Sequence, residues 1–187
     1  MSGLRVTAFC GSPRKGGNTE TLLRKMLQGA ESTGAEVVFR DLNSMSIRGC
    51  QGCDWCKENE SDFCVNKDDM QTIYKDLVNS DSVIIGSPVY MFQMSAQTKA
   101  MIDRFFGLLL PGFKSKIEEK KLALVFSQGA PEDSFKDYIA ATEKMLSFLK
   151  FNVTDVLVAP DCGDYGSAEG KTDLMAKAFR IGASLLD

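Results

Sequence analysis

Cysteine is the residue type most able to do chemistry here. It stands at Cys10, Cys50, Cys53, Cys56, Cys64 and Cys162, and four of these fall between positions 50 and 64. Two residues separate Cys50 from Cys53 and Cys53 from Cys56, and seven lie before Cys64. Thiolates at such spacing converge on one metal centre, and four of them are the ligand set of a 4Fe–4S cluster. Ferredoxins place the fourth cysteine closer, before a proline, and use it for a second cluster. The longer gap here, with Val65 after Cys64, suits four ligands serving a single cluster. Three other readings stay open: a four-thiolate zinc site, free thiols, and a disulfide pair. Zinc more often uses two separated cysteine pairs. Trp55, the only tryptophan, lies inside the set, where it can shield a cluster or pack a subunit interface.

Histidine is absent from the 187 residues. That excludes a Ser-His-Asp triad, a Cys-His dyad and His-ligated zinc. The formal net charge of −3 gives no electrostatic footprint for nucleic acid or an anionic membrane. The N-terminus has no long apolar region with a small-residue cleavage site. The longest apolar stretch, around Leu108–Leu110, is too short to cross a bilayer. A cytoplasmic protein is therefore expected, and that compartment disfavours disulfides.

Two loops carry a second chemistry. Gly11-Ser12-Pro13-Arg14-Lys15-Gly16-Gly17-Asn18-Thr19 runs from an apolar strand into a helix. Helix N-termini offer free N–H groups and partial positive charge to an anion. Small residues admit a phosphate, Ser12, Asn18 and Thr19 add neutral donors, and Arg14 adds a guanidinium. The loop fits neither a Walker pattern nor G-x-G-x-x-G. A phosphatase reading would make Cys10 the nucleophile, yet Cys10 belongs to the strand by pattern, as a small core residue. The bland alternative is a polar strand-to-helix turn. The second loop, Ser87-Pro88-Val89-Tyr90-Met91-Phe92, is unusually apolar for a segment facing solvent, as a surface for a flat heterocycle would be. It could equally cap the core or a dimer contact.

The elements that position these loops alternate. Strands are expected at Leu4–Cys10, Glu36–Leu42, Ser82–Gly86, Leu122–Ser127 and Val153–Val158. Helices are expected at about Thr19–Thr33, at Asp69–Asn79 with Asp68 as N-cap, at Ser95–Leu109 and at Pro131–Lys150. Leu174, Ala178, Ile181 and Leu185 mark a last one. Lys114–Lys121 reads as a solvated loop. Alternation of this kind implies an α/β protein, a three-layer sandwich with a five-stranded parallel sheet and helices on both faces. Five strands suit the flavodoxin-like order 2-1-3-4-5, with ligands at the carboxyl ends of the strands. The whole chain is expected as one domain, with a cysteine-rich loop at about 43–67.

Together, the Gly-Ser-Pro-Arg-Lys-Gly-Gly-Asn-Thr loop and the Ser-Pro-Val-Tyr loop resemble the NADPH-dependent FMN reductase family of flavodoxin-like proteins. The resemblance extends, in element order, over essentially the whole chain. It implies FMN bound non-covalently, its phosphate on Ser12, Arg14, Asn18 and Thr19 and its ring edge at Pro88, Val89, Tyr90, Met91 and Phe92. Gln128 and Gly129 would lie near the ring, and Gly17 and Ser87 complete the implied cofactor-binding set. It also implies a homodimer or homotetramer. The compact cysteine spacing resembles the iron–sulfur flavoprotein branch of that family, in which the cluster neighbours the FMN of an adjacent subunit. By that resemblance Cys50, Cys53, Cys56 and Cys64 each ligate iron. No side chain is then a catalytic candidate, because the flavin carries the chemistry.

The implied activity is electron transfer between FMN and a 4Fe–4S cluster, exchanged with a ferredoxin-like partner or a small acceptor such as a quinone. The alternative is an NAD(P)H-dependent FMN or quinone oxidoreductase using FMN alone, with a structural cysteine loop. A third reading is a non-catalytic, zinc-stabilised scaffold.

Overall fold

In the computed structural model, which describes residues 3–187, the chain forms one parallel sheet between two helical layers. The strands are β1 Arg5–Cys10, β2 Glu36–Asp41, β3 Ser82–Tyr90, β4 Gln93–Met94, β5 Lys120–Ser127 and β6 Phe151–Ala159. The helices are α1 Asn18–Ser32, α2 Trp55–Glu58, α3 Met70–Asn79, α4 Ala96–Arg104, α5 Lys136–Phe148 and α6 Thr172–Ser184. The parallel strands follow the order β2-β1-β3-β5-β6, the expected flavodoxin-like order. The two-residue β4 is the addition, pairing antiparallel with the end of β3.

Side-chain alternation explains the layers. Val6, Ala8 and Cys10 of β1, Ile84 of β3, and Ala123 and Val125 of β5 pack with Leu22, Leu23 and Met26 of α1 and with α6. Phe9, Val83, Ile85, Leu122, Leu124 and Phe126 point the other way, against α3, α4 and α5. Central strands buried on both faces need apolar residues at every position, hence runs such as Val83-Ile84-Ile85. Small residues on the first face let α1 and α6 approach closely. A Cβ on Gly182 would stand 1.8 Å from the Met26 carbonyl oxygen, and one on Gly29 2.1 Å from that of Phe179.

Several expected boundaries move. The third strand runs on through Ser87, Pro88, Val89 and Tyr90, so four of the six residues of the expected apolar loop are strand. Its turn carries Met91 and Phe92 at φ 46° and 69°. These are the two left-handed positions of a tight hairpin, usually Asn-Gly, so sequence reasoning had no signal for it. The helix expected to Leu109 ends at Arg104 and continues as a 3₁₀ turn, Phe105–Leu108. The helix expected from Pro131 begins with a 3₁₀ turn, Glu132–Phe135. Asp69 directly precedes α3 and makes no side-chain cap bond, whereas Asp68, one residue earlier, accepts the N–H of Met70 at the start of the helix at 3.2 Å, the capping role expected of it. The Lys114–Lys121 segment is not a solvated loop: Lys120 is buried at the start of β5, and Lys116 reaches into the cysteine-bearing connection. No helix among the described residues is long and apolar enough to cross a membrane.

Candidate functional site

All five parallel strands point the same way, so the connections after them emerge at one edge of the sheet. A polar hollow of about 200 Å³ opens there, lined by Ser12, Arg14, Asn18, Thr19, Pro88, Val89, Tyr90, Ser127, Gln128, Gly129, Cys162 and Gly163. Three expected segments thus meet around one space, at the carboxyl ends of β1, β3 and β5. Four expected residues do not line it. Gly17 sits at the N-cap of α1, and Ser87 is buried, donating to the Pro88 carbonyl and accepting from the Ser95 N–H. Met91 and Phe92 stand out into solvent, 89% and 71% exposed, with Phe92 edge-on to Phe135.

The donors of the first loop divide into occupied and free. Asn18 Nδ2 donates to the carbonyls of Cys162 (2.9 Å) and Asp164 (2.7 Å), and its Oδ1 accepts the Ala168 N–H at 3.0 Å. Its amide therefore braces the β6–α6 connection, and only its backbone N–H is left for an anion, a correction to its expected side-chain role. Thr19 Oγ1 is paired with Ser127 Oγ at 2.7 Å. The Gly16 N–H is taken by Glu20 Oε2 at 2.7 Å. Arg14 uses Nη1 on the Gly163 carbonyl, 2.9 Å away, which aims a guanidinium across the mouth with donors to spare. Burial pushes the Cys10 thiol up to about 12. It is a neutral core group, which removes the phosphatase nucleophile.

Gln128 is the most telling residue of this hollow. Its Nε2 faces three carbonyls, those of Ala130, Pro131 and Glu132, which fixes which end of the amide is which. Its Oε1 is buried without a partner among the described residues. A buried, unpaired acceptor is costly, and a flavin ring N–H or a ribityl hydroxyl would satisfy it. Across the space, a Cβ on Gly129 would come within 3.3 Å of Gly163 Cα, so only glycines leave the cradle open. The donor set, the orphan acceptor and the glycine cradle fit FMN.

A second, tight hollow, of about 20 Å³, is lined by all four clustered cysteines with Trp55, Phe63, Tyr74, Arg104, Phe106 and Gly107. The chain reverses here through left-handed backbone at Gly52 (φ 61°) and Asp54 (φ 54°). Among the described residues no three His, Cys, Asp or Glu side chains converge tightly enough for a single metal ion. A tetrahedral zinc with bonds of about 2.3 Å would need its sulfurs roughly 3.8 Å apart. A cubane binds each thiolate at a different corner and holds them wider apart. Four soft donors spread around one space fit a 4Fe–4S cluster.

Cations from outside the loop hold this hollow. Lys116 Nζ donates to the carbonyls of Cys56, Asn59 and Asp62 at 2.8–2.9 Å. In return Lys57 Nζ donates to the carbonyls of Phe106 and Leu109, at 2.7 Å each, and lies 3.5 Å from the Phe106 ring centroid. Burial lowers the pKa of both lysines. Burial also raises that of the Cys56 thiol, against the pull of Lys57 and Lys116, so a metal would have to displace its proton. Arg104 pairs with Asp68 through both terminal nitrogens, at 2.9 and 3.3 Å. Burial opposes its charge, and the Asp68 bond more than compensates, pushing its pKa up.

Sequence reasoning missed Ser127, Cys162 and Gly163 in the first hollow and Arg104, Phe63, Tyr74 and Phe106 in the second. A signal existed for the first group, since each follows or ends a strand. None existed for the second. The two hollows share no lining residue. α4 runs between them: its N-cap Ser95 donates to the Gly11 carbonyl beside the polar hollow, and its last residue Arg104 lines the thiol hollow.

A parallel sheet in this order, with its hollow at the carboxyl edge, defines the flavodoxin-like class. The chain carries the pattern of the NADPH-dependent FMN reductase family across residues 4–159 and belongs to that family. It is 37% identical to an iron–sulfur flavoprotein of Methanosarcina thermophila over 113 residues, 60% of this chain and 58% of that one. The matched segment is thus little more than half of that relative. A second iron–sulfur flavoprotein, MJ0731 of Methanocaldococcus jannaschii, is 28% identical over 90% of this chain and 81% of its own. Among solved structures, an NAD(P)H:quinone oxidoreductase from Methanothermobacter marburgensis superposes with a TM-score of 0.77 at 15% identity, covering 99% of this chain and 98% of its own. That last likeness is one of fold.

Proposed function

We propose that this chain is a flavin-dependent oxidoreductase of the iron–sulfur flavoprotein kind, holding FMN in the polar hollow and a 4Fe–4S cluster in the thiol hollow. The observation that carries the reading is that Cys50, Cys53, Cys56 and Cys64 line one space in a chain whose phosphate and ring segments line another. The names of the two relatives agree with it.

FMN, when bound, supplies the change between two-electron and one-electron chemistry, and the protein supplies orientation. Arg14 and the free N–H groups at the start of α1 hold the phosphate. Pro88, Val89 and Tyr90 form one wall for the ring, and Gln128 Oε1 accepts from its polar edge. The four thiols, released from their protons, hold iron, while Trp55 and Phe63 keep water away. In one chain the two centres are separated by the nine residues of α4, about 13 Å of helix at 1.5 Å per residue. Exposed Tyr90, Met91 and Phe92 beside the polar hollow suit a second copy of the chain that brings the centres closer, in a homodimer or homotetramer. Electrons would be exchanged with NAD(P)H, a ferredoxin-like protein or a quinone, in the cytoplasm.

Anaerobically purified and reconstituted protein tests this. Flavin bands with a broad iron–sulfur absorbance, near-stoichiometric sulfide and four irons per chain on the usual cubane count are expected. Flavin without iron would reduce the reading to its second form, an NAD(P)H-dependent flavin reductase with a structural cysteine loop, which the family description favours. Bleaching by NADPH in place of reduced ferredoxin would select the donor.

A further inference from the structure

Arg104 is among the bulkiest fully buried side chains of the described residues, 1% exposed. Four contacts fix its place. Its Nη1 donates to the Arg48 carbonyl (2.8 Å) and to Asp68 Oδ2 (2.9 Å), and its Nη2 to Asp68 Oδ1 (3.3 Å). Its own carbonyl accepts the Tyr74 hydroxyl at 2.8 Å. The guanidinium therefore cannot swing. One nitrogen of the fork is left over: Nε is buried with no partner among the described residues. A charged donor without an acceptor, sealed from water, is a costly arrangement that native structures rarely keep. The space Arg104 lines is the thiol hollow, with Cys50, Cys53, Cys56 and Cys64 around it.

We propose that Arg104 Nε–H donates to a sulfur of the iron–sulfur group, a cysteine thiolate or a bridging sulfide, and thereby raises its reduction potential. This rests on the cluster reading above. A donor and a fixed positive charge stabilise the more electron-rich, reduced state, and hydrogen bonds to sulfur are among the levers a protein has on a cluster. Asp68 is then the positioning residue. By engaging both terminal nitrogens it leaves only Nε without a partner, in a residue that lines the hollow, and it keeps the arginine charged despite its burial. Lys57 and Lys116 also carry charge near this loop, but their ammonium groups are engaged with backbone carbonyls. Neither lines the space.

The test uses anaerobically reconstituted full-length protein containing arginine labelled with nitrogen-15 at Nε. With the cluster reduced by dithionite, pulsed EPR is expected to show a nitrogen-15 coupling in the wild type and none in Arg104→Lys. The lysine keeps a cation for Asp68 and removes the Nε–H. Its cluster midpoint is expected to fall by about 59 mV, a tenfold change in a one-electron equilibrium, with the flavin midpoint unmoved. An unchanged midpoint in an Arg104→Lys protein with full iron content would overturn the proposal. So would a wild-type cluster without the coupling, which decides the matter by itself if the variant fails to fold. Failure of the wild type to take up iron and sulfide would overturn the cluster reading and this proposal together. A cluster that forms but ignores Arg104 would overturn this proposal alone.

Discussion

The polar hollow is walled by strand ends and by turns that begin within a residue or two of β1, β3, β5 and β6. The thiol hollow is walled by a connection of more than twenty residues whose regular structure is a 3₁₀ turn at its start, Leu42–Ser44, and one short helical turn, α2. The first inherits its shape from the sheet: the Asn18 amide holds the carbonyls of Cys162 and Asp164, and the Gln128 backbone pairs with Ala159 and Cys162, so adjacent turns are locked to each other. The second has no such frame. It is pinned from outside by Lys116, Lys57 and the Arg104–Asp68 pair, all reaching across from or to the α4–β5 side. A site on regular elements is shaped by the core. A site on a long loop must be shaped by charged side chains that cross between the loop and its neighbours, here the buried Arg104 and the half-buried Lys57 and Lys116.

If the two hollows are independent, each should be removable alone. Cys64→Ser is expected to abolish iron–sulfur absorbance while flavin binding stays within twofold of wild type, roughly 0.4 kcal/mol. Gly129→Leu puts a side chain where a Cβ already meets Gly163. It is expected to weaken FMN binding at least tenfold, about 1.4 kcal/mol, with iron content unchanged. Fluorescence titration with FMN and iron analysis on the two variants check this. Loss of both cofactors in either variant would break the contrast.

Asp68→Asn probes the pinning of the loop. It leaves the buried Arg104 charge without its counter-ion, and breaking such a pair costs about 3 kcal/mol. Burial raises the Asp68 carboxyl, but Arg104 and the N–H groups of Arg48 and Met70 outweigh it and hold it below the usual carboxylate range. A depressed folded pKa means the stabilisation is present above the unfolded value of about 3.9 and is lost as pH falls through the folded one. The urea midpoint of the wild type is expected to decline on acidification below about pH 4, and that of Asp68→Asn to decline less over the same range.

The same contrast explains what the sequence could tell. Val83-Ile84-Ile85 and the alternating segments made the sheet order readable, because a strand buried on both faces has a composition of its own. The glycine-rich turn was readable because helix starts have rules. The cysteine spacing announced a centre, although its wall did not. Arg104 falls in the middle of an amphipathic pattern and looks like a solvated residue. Lys116 falls in a mixed-charge run and looks the same. Their partners are backbone carbonyls and carboxylates some thirty to sixty positions away, and no local pattern reports a partner at that range. The Met91–Phe92 turn was missed for the opposite reason, because its residue types contradict its backbone.

Lys116→Met is the next smaller cut. Three charged hydrogen bonds to the loop are lost without unfolding the sheet, so local opening should become easier by about 2 kcal/mol. Amide exchange across residues 50–64 is expected to quicken roughly thirtyfold, while exchange in α1 stays as it was. Lys116→Arg, which keeps the charge and several donors, should recover most of the protection. Equal acceleration in both regions would mean that Lys116 supports the fold as a whole and that the loop has no separate clasp.

The smallest effect belongs to the ion pair that looks most like a loop fastener. Lys67 Nζ lies 2.8 Å from Asp62 Oδ2, but the lysine side chain is 67% exposed. An exposed pair gains little Coulomb energy in water, loses side-chain freedom and is screened by salt. Lys67→Ala is expected to leave iron content intact and to change exchange in residues 50–64 by less than about twofold, near 0.4 kcal/mol. Asp62 takes part in both arrangements: its carboxylate meets Lys67 in solvent, and its carbonyl meets Lys116 at 2.8 Å beneath it. Comparing the two lysine variants therefore reads the same residue from its wet and its buried side. An effect at Lys67 as large as that at Lys116 would show that the loop is held by surface charge, which added salt would then weaken.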